Sequence, residues 1–125
     1  MPRLMVNGAA IHYEDTGSGD DTIVFAHGLL WSGRMYEAQV AALKGRYRCI
    51  TFDFRGQGNS EATADGYDMD TLAQDALALI KTLVGKPVHF VGLSMGGFVG
   101  MRLAIHHPEW LKYLSLLETD RKSVV

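Results

Sequence analysis

Cysteine, proline, unbalanced charge and long apolar runs are all scarce in this sequence. Its 125 residues include one cysteine, three prolines, and 12 basic against 14 acidic residues. The single cysteine, Cys49, excludes an intramolecular disulfide and favours a reducing compartment. A net charge of −2 gives no reason to expect nucleic acid or an anionic membrane as a partner. Neither a membrane-span pattern nor a signal peptide is visible, so we expect a cytoplasmic domain.

Short apolar runs instead alternate with helical patterns along the whole chain. The alternation predicts strands on both sides of the turn signal Asn7-Gly8 and over residues 22–26, 48–54, 88–93 and 111–119. Helices are predicted over residues 32–45, 70–86 and 94–106, the second with Thr71 and Gln74 as a capping pair and Gly85 as its stop. The pattern predicts one α/β domain over residues 1–125, a mostly parallel sheet of about six strands with helices on both faces.

The stretch GLSMG, residues 92–96, lies between a predicted strand and a predicted helix. A serine at such a junction is held on a sharp, strained turn with its hydroxyl above the edge of the sheet. Gly92 and Gly96 supply the small residues that the close approach of strand and helix requires. The N–H of Met95 would face a developing oxyanion. An ordinary glycine-rich turn is the alternative, but the strand–helix context favours Ser94 as a nucleophile.

Two further stretches carry features of a site. In FAHGLLWSG, Gly28 follows His27 at the end of a predicted strand and would let the N–H of Leu29 turn toward the serine, as a second oxyanion donor. A plain strand-end turn is the alternative. FDFRGQGNS, residues 52–60, is interpreted as a tight loop held by Asp53 and Arg55, since a phosphate loop would need the lysine that is missing here.

These stretches, in this order, resemble the α/β-hydrolase family, especially its esterase, perhydrolase and lactonase branch. HGLLWSG, DFRGQGNS and GLSMGG carry the resemblance, which runs from about residue 4 to residue 117. It implies acyl-ester chemistry with Ser94 as the nucleophile and the backbone N–H groups of Leu29 and Met95 as the oxyanion hole. A serine at this position argues against the haloalkane dehalogenase branch, which has an aspartate there.

The sequence departs from the family after its last predicted strand. In the family a cap and two further strands follow, and they carry the acid and then the catalytic histidine. This chain ends at DRKSVV, so we expect a truncated α/β-hydrolase fold that corresponds to the N-terminal half. The cap also shapes the family's substrate pockets, so the sequence leaves the substrate beyond a small acyl ester open.

A base and an acid must then be sought among the residues present. His27 is the histidine expected near Ser94 and is our hypothesis for a general base, although in the family this residue shapes the oxyanion loop. The other histidines are expected to be surface or packing residues, because His89, His106 and His107 lie roughly 16–18 Å away along their strand or helix and His12 is in the hairpin. Glu118, and with it Asp120, is a candidate acid; a solvated terminus is the alternative.

The last predicted strand would be an edge strand with apolar side chains on both faces. Such edges invite pairing, so we expect a homodimer through this strand, which could bring His106 or His107 of one chain to Ser94 of the other. No cluster with metal-ligand spacing is present, so neither a metal nor a cofactor is expected. Two functions stay open, a serine ester hydrolase and a non-catalytic binding or assembly module.

Overall fold

The computed structural model describes residues 2–17, 19–28 and 32–117, which contain six strands and three helices. The strands are β1 (Arg3–Val6), β2 (Ala9–Asp15), β3 (Thr22–Ala26), β4 (Arg48–Phe52), β5 (Val88–Leu93) and β6 (Leu111–Leu117). The helices are α1 (Glu37–Leu43), α2 (Met69–Leu83) and α3 (Met95–His106), with short 3₁₀ turns over Gly33–Tyr36 and Pro108–Trp110. Leu29, Glu118 and Asp120 lie outside the described residues.

All six strands join one sheet in the order β1-β2-β4-β3-β5-β6. The β1–β2 and β2–β4 pairs are antiparallel, whereas the β3–β4, β3–β5 and β5–β6 pairs are parallel. The β1–β2 hairpin turns at Asn7 and Gly8, whose φ angles of 51° and 79° suit the twist of a two-residue hairpin loop. The predicted mostly parallel sheet is confirmed.

The two faces of the sheet are covered unequally. On one face α2 and α3 pack over a large core that includes Val24, Ile50 and Phe90. On the other face α1 covers a smaller core of Ile23, Phe25, Tyr36 and Cys49. Strand β3 is buried on both faces along its whole length, which explains why its sequence TIVFA is continuously apolar rather than alternating.

The helix ends differ slightly from the sequence-based expectation. The N-cap of α2 is Asp68, three residues before the predicted cap Thr71, because the Asp68 side chain accepts hydrogen bonds from the Thr71 N–H at 3.0 Å and the Thr71 hydroxyl at 2.8 Å. The predicted Thr71–Gln74 pair is therefore wrong. Gly85, with φ of 73°, ends the helix as expected. None of the helices in the described ranges is long and apolar enough to cross a membrane.

Candidate active site

The three sequence motifs, which contain His27, Asp53 and Ser94, meet at the carboxyl ends of the parallel strands. Ala26, at the end of β3, is paired in register with Phe52 of β4 on one side and with Gly92 of β5 on the other. The residues that follow these three positions therefore emerge side by side. The carboxyl ends of parallel strands are where α/β sheets build their sites, so this edge is the candidate active site.

Ser94 has the strained backbone that its motif predicts. Its φ of 50° and ψ of −108° place a residue with a Cβ in a region that favours glycine. The turn is held by its backbone, since the Ser94 N–H donates to the Leu117 carbonyl at 3.3 Å and the Ser94 carbonyl accepts from the Phe98 N–H at 3.0 Å. Such conformations cost about 1–3 kcal/mol and persist only where the surroundings enforce them.

Close backbone contacts at two glycines, Gly92 and Gly96, enforce the turn at Ser94. A Cβ on Gly96 would lie 2.4 Å from the Ala26 carbonyl oxygen, and one on Gly92 would lie 2.4 Å from the Gly96 carbonyl oxygen. Strand and helix are therefore in backbone contact at these two positions. Gly28 differs, because a Cβ there would be 3.5 Å from the Leu93 side chain, an ordinary contact. The described atoms thus do not require glycine at position 28.

One of the two expected oxyanion donors lies among the described residues. Met95 is the first residue of α3 and is buried, so its N–H belongs to the first turn of the helix, whose N–H groups have no partner within the helix. The Ser94 side chain does not cap that helix. The other expected donor, the N–H of Leu29, falls outside the described residues and stays a prediction.

His27 is buried and both of its ring nitrogens have backbone partners. Nε2 accepts the Phe54 N–H at 2.9 Å, so the proton resides on Nδ1, which lies 2.6 Å from the Gly28 carbonyl oxygen and donates to it. Burial lowers the pKa of His27, which keeps the ring neutral. No ring nitrogen is left to accept the Ser94 proton. The geometry therefore argues against the general-base hypothesis and makes His27 a packing and anchoring residue.

The other four histidines occupy positions like those expected from the sequence. His12 is buried in β2, and His89 stacks on Tyr113 with ring centroids 4.9 Å apart. His106 ends α3 and His107 follows it, so the length of the helix, about 18 Å for twelve residues, separates them from Ser94. No group of three or more metal-ligating side chains is assembled within the described residues.

The loop from Asp53 to Ser60 is held by buried side chains, as the sequence suggested. Asp53 is 2% exposed, and its two carboxylate oxygens accept the N–H groups of Gly33 at 2.6 Å and Asn59 at 2.9 Å. Arg55 forms a bidentate ion pair with Asp75, with N–O distances of 2.7 and 2.8 Å, and this partner raises the pKa of Arg55. The bond from Gly33 to Asp53 was not anticipated, because residues twenty positions apart carry no local signal.

Comparison with known proteins agrees with this arrangement. The family model described as "alpha/beta hydrolase fold" matches residues 21–123. BpoC of Mycobacterium tuberculosis, for which a non-heme bromoperoxidase activity is proposed, is 42% identical over 109 residues, which cover 86% of this chain and 41% of that protein. The 3-oxoadipate enol-lactonase 2 of Acinetobacter baylyi is 32% identical, covering 95% of this chain and 45% of that protein.

A solved structure also resembles this chain in fold and sequence. Epoxide hydrolase VrEH1 from Vigna radiata matches with a TM-score of 0.89 and 31% identity, covering 94% of this chain and 39% of that one. The chain thus spans less than half the length of the proteins it resembles. It belongs to the α/β-hydrolase family, whose members named here are described by three different activities.

Proposed function

We propose that this chain carries the nucleophile of a hydrolase that acts on small esters, lactones included. The observation that carries the proposal is the backbone of Ser94, a side-chain-bearing residue held at φ 50° where strand β5 turns into helix α3. A turn with only a structural role would place glycine there at no strain cost. The enol-lactonase relative favours ester chemistry, since a lactone is a cyclic ester.

In the proposed reaction Ser94 Oγ attacks the ester carbonyl and loses its proton to a base. The Met95 N–H, with that of Leu29, stabilises the oxyanion of the tetrahedral intermediate. Collapse expels the alcohol, which takes up a proton, and leaves an acyl-serine. Water then attacks the acyl-serine and releases the acid, which restores the serine.

The base in this proposal is supplied from outside the described residues, because His27 is committed to backbone partners. Free imidazole in the buffer should then accept the Ser94 proton. Imidazole also hydrolyses the ester directly, and hydrolysis in the presence of Ser94→Ala measures that background. We expect imidazole to increase hydrolysis by the parent chain more than it increases this background.

The test is hydrolysis of a short-chain p-nitrophenyl ester by the purified chain and by Ser94→Ala, with fluorophosphonate labelling followed by intact mass. We expect one probe molecule per chain, absent in Ser94→Ala, and slow serine-dependent turnover, since an oxyanion hole without a complete triad still retains roughly 10³–10⁴-fold catalysis over water. Equal labelling and equal turnover in both proteins would refute a nucleophilic Ser94.

The alternative, an assembly module, is favoured by one observation at strand β6, which lies beside β5. Among the described strands β6 has a single neighbour, β5, and its Tyr113, Leu116 and Leu117 side chains are 68%, 41% and 40% exposed. Exposed apolar edges invite strand pairing, so we keep a homodimer through β6 as part of this proposal. Sedimentation at micromolar concentration tests it, and a monomer would contradict it.

A further inference from the structure

The turn that holds Ser94 is bonded to two different elements of the fold. The Ser94 carbonyl accepts the Phe98 N–H at 3.0 Å, which ties the turn to helix α3. The Ser94 N–H donates to the Leu117 carbonyl at 3.3 Å, which ties the turn to strand β6. Leu117 is also paired in register with Leu93, the residue before the serine. The proposed nucleophile therefore lies where β5, α3 and β6 meet.

Strand β6 is held in place by few side chains. Among the described strands it has a single neighbour, β5, and five of its seven side chains are exposed. The other two, Leu111 at its beginning and Leu114 at its centre, are half-buried and pack against the main core. The ion pair between Lys112 and Asp21 is exposed, so it adds little stability. The position of β6 therefore depends on two leucines and on the ladder with β5.

Leu114 packs on a glycine of the helix that follows Ser94. Gly100 is buried in α3, and a Cβ there would lie 2.6 Å from Leu114 Cδ1 and 3.0 Å from Phe90 Cδ1. A larger residue would collide with both side chains, so the absence of a Cβ is what lets α3 approach the sheet closely at this point. The contact between Gly100 and Leu114 thus sets the distance between α3 and β6, the two elements to which Ser94 is bonded.

We propose that Leu114 is a positioning residue for Ser94. By packing on Gly100 it holds β6 where the Leu117 carbonyl accepts the Ser94 N–H, so the strained turn is held from both sides. Strained backbone persists only where its surroundings enforce it, and a displacement of about 1 Å in a reacting group can slow a reaction by about 10²-fold. Loss of the Leu114 contact should therefore weaken catalysis without removing any reacting group. This inference rests on the proposed function, in which Ser94 is the nucleophile.

Leu114→Ala tests the proposal, with Leu111→Ala as its matched control. Both leucines are half-buried residues of β6 that pack against the same core, so both variants should lose similar stability. Leu111 differs in its position, because it is paired with Val88, at the opposite end of β5 from Ser94. Gly100→Ala is a second variant, which displaces the Leu114 side chain without shortening it.

The readouts are the rate of fluorophosphonate labelling at Ser94, kcat and KM for the ester, and hydrogen exchange of the Ser94 amide. In Leu114→Ala and in Gly100→Ala, labelling and kcat should fall by roughly 10-fold to 10²-fold with KM nearly unchanged, and exchange should accelerate. Leu111→Ala should label within about twofold of the parent, because its site is distant from Ser94. The double variant of Gly100 and Leu114 should be no slower than Leu114→Ala, since both changes remove the same contact.

The outcomes separate this proposal from the one on which it rests. An unlabelled parent chain would mean that the proposed function fails, whereas exchange of the Ser94 amide would still test its support by β6. Labelling and exchange of folded Leu114→Ala and Gly100→Ala at the parent rates would overturn the positioning role. Equal slowing in Leu114→Ala and Leu111→Ala would overturn it too, since the effect would then follow stability alone.

Discussion

Two tight turns border the same edge of the sheet, and only one of them places a side chain on strained backbone. In the loop from Asp53 to Ser60 the positive φ angles fall on Gly56 and Gly58, at 77° and 53°. In the turn from β5 into α3 the positive φ falls on Ser94, at 50°. Glycine adopts this region almost freely, whereas a residue with a Cβ pays about 1–3 kcal/mol.

The two turns also differ in what holds them. Buried polar contacts hold the loop, with Asp53 and Arg55 each making several hydrogen bonds. Backbone contacts hold the Ser94 turn, through Gly92 and Gly96. Of these two turns, the structural loop has glycine at its positive φ angles, whereas the turn that holds Ser94 accepts strain at a residue that bears a side chain.

The largest effect is expected from breaking the polar support of the loop. Arg55→Ala leaves the Asp75 carboxylate buried without its partner, which should lower the free energy of unfolding by about 3–5 kcal/mol. Arg48→Ala is the control, because Arg48 makes a similar bidentate pair with Asp15 that is partly exposed. Urea unfolding should show a clearly smaller loss for the control, and equal losses would contradict the importance of burial.

Removing the glycine contact under Ser94 should come next. Gly96→Ala places a Cβ within 2.8 Å of two backbone oxygens, those of Ala26 and His27, which cannot move as a side chain can. We expect a loss of about 3 kcal/mol, the upper end of the usual cost of overpacking, together with loss of Ser94 labelling. Gly28→Ala is the matched control and should change stability little, since its nearest contact would be 3.5 Å.

A smaller effect of opposite sign is expected at Ser94 itself. Ser94→Gly removes the Cβ from the strained position, whereas Ser94→Ala keeps the Cβ and loses the same hydroxyl. The glycine variant should therefore be more stable than the alanine variant by about 1 kcal/mol, after the added entropy of the unfolded glycine is subtracted. Both variants lose the hydroxyl, so both should be inactive. Urea unfolding of the pair isolates the backbone strain, and a less stable glycine variant would contradict it.

Local patterns predicted the strands, the helices and the position of Ser94, because hydrophobic period and glycine placement act over a few residues. They misplaced the start of α2, since Asp68, just outside the apolar pattern, competes as a cap. They also suggested His27 as a base, because the predicted strand order places His27 near Ser94. The sequence does not show which hydrogen bonds the His27 ring already makes. Those bonds go to Gly28 and Phe54, and the second joins the segments that follow β3 and β4.

The anchoring role of His27 leads to the smallest expected effect, a dependence of stability on pH. Burial lowers the pKa of His27 in the folded chain, whereas in the unfolded chain it should be near the usual value of about 6.5. Below that pH the unfolded state binds the proton more readily. The stabilisation is therefore complete above about pH 6.5 and is lost as the pH falls, by up to about 1.4 kcal/mol per pH unit for one proton.

Urea unfolding between pH 7.5 and 5.5 measures this slope in the parent chain, in His27→Gln and in the control His106→Gln. Asp15, whose pKa is lowered chiefly by its hydrogen bond with Arg48, changes stability with the same sign but only near and below pH 4, outside this range. The slope should persist in His106→Gln, an exposed position, and flatten in His27→Gln. A parent chain whose stability does not change over this range would show that burial does not lower the pKa of His27.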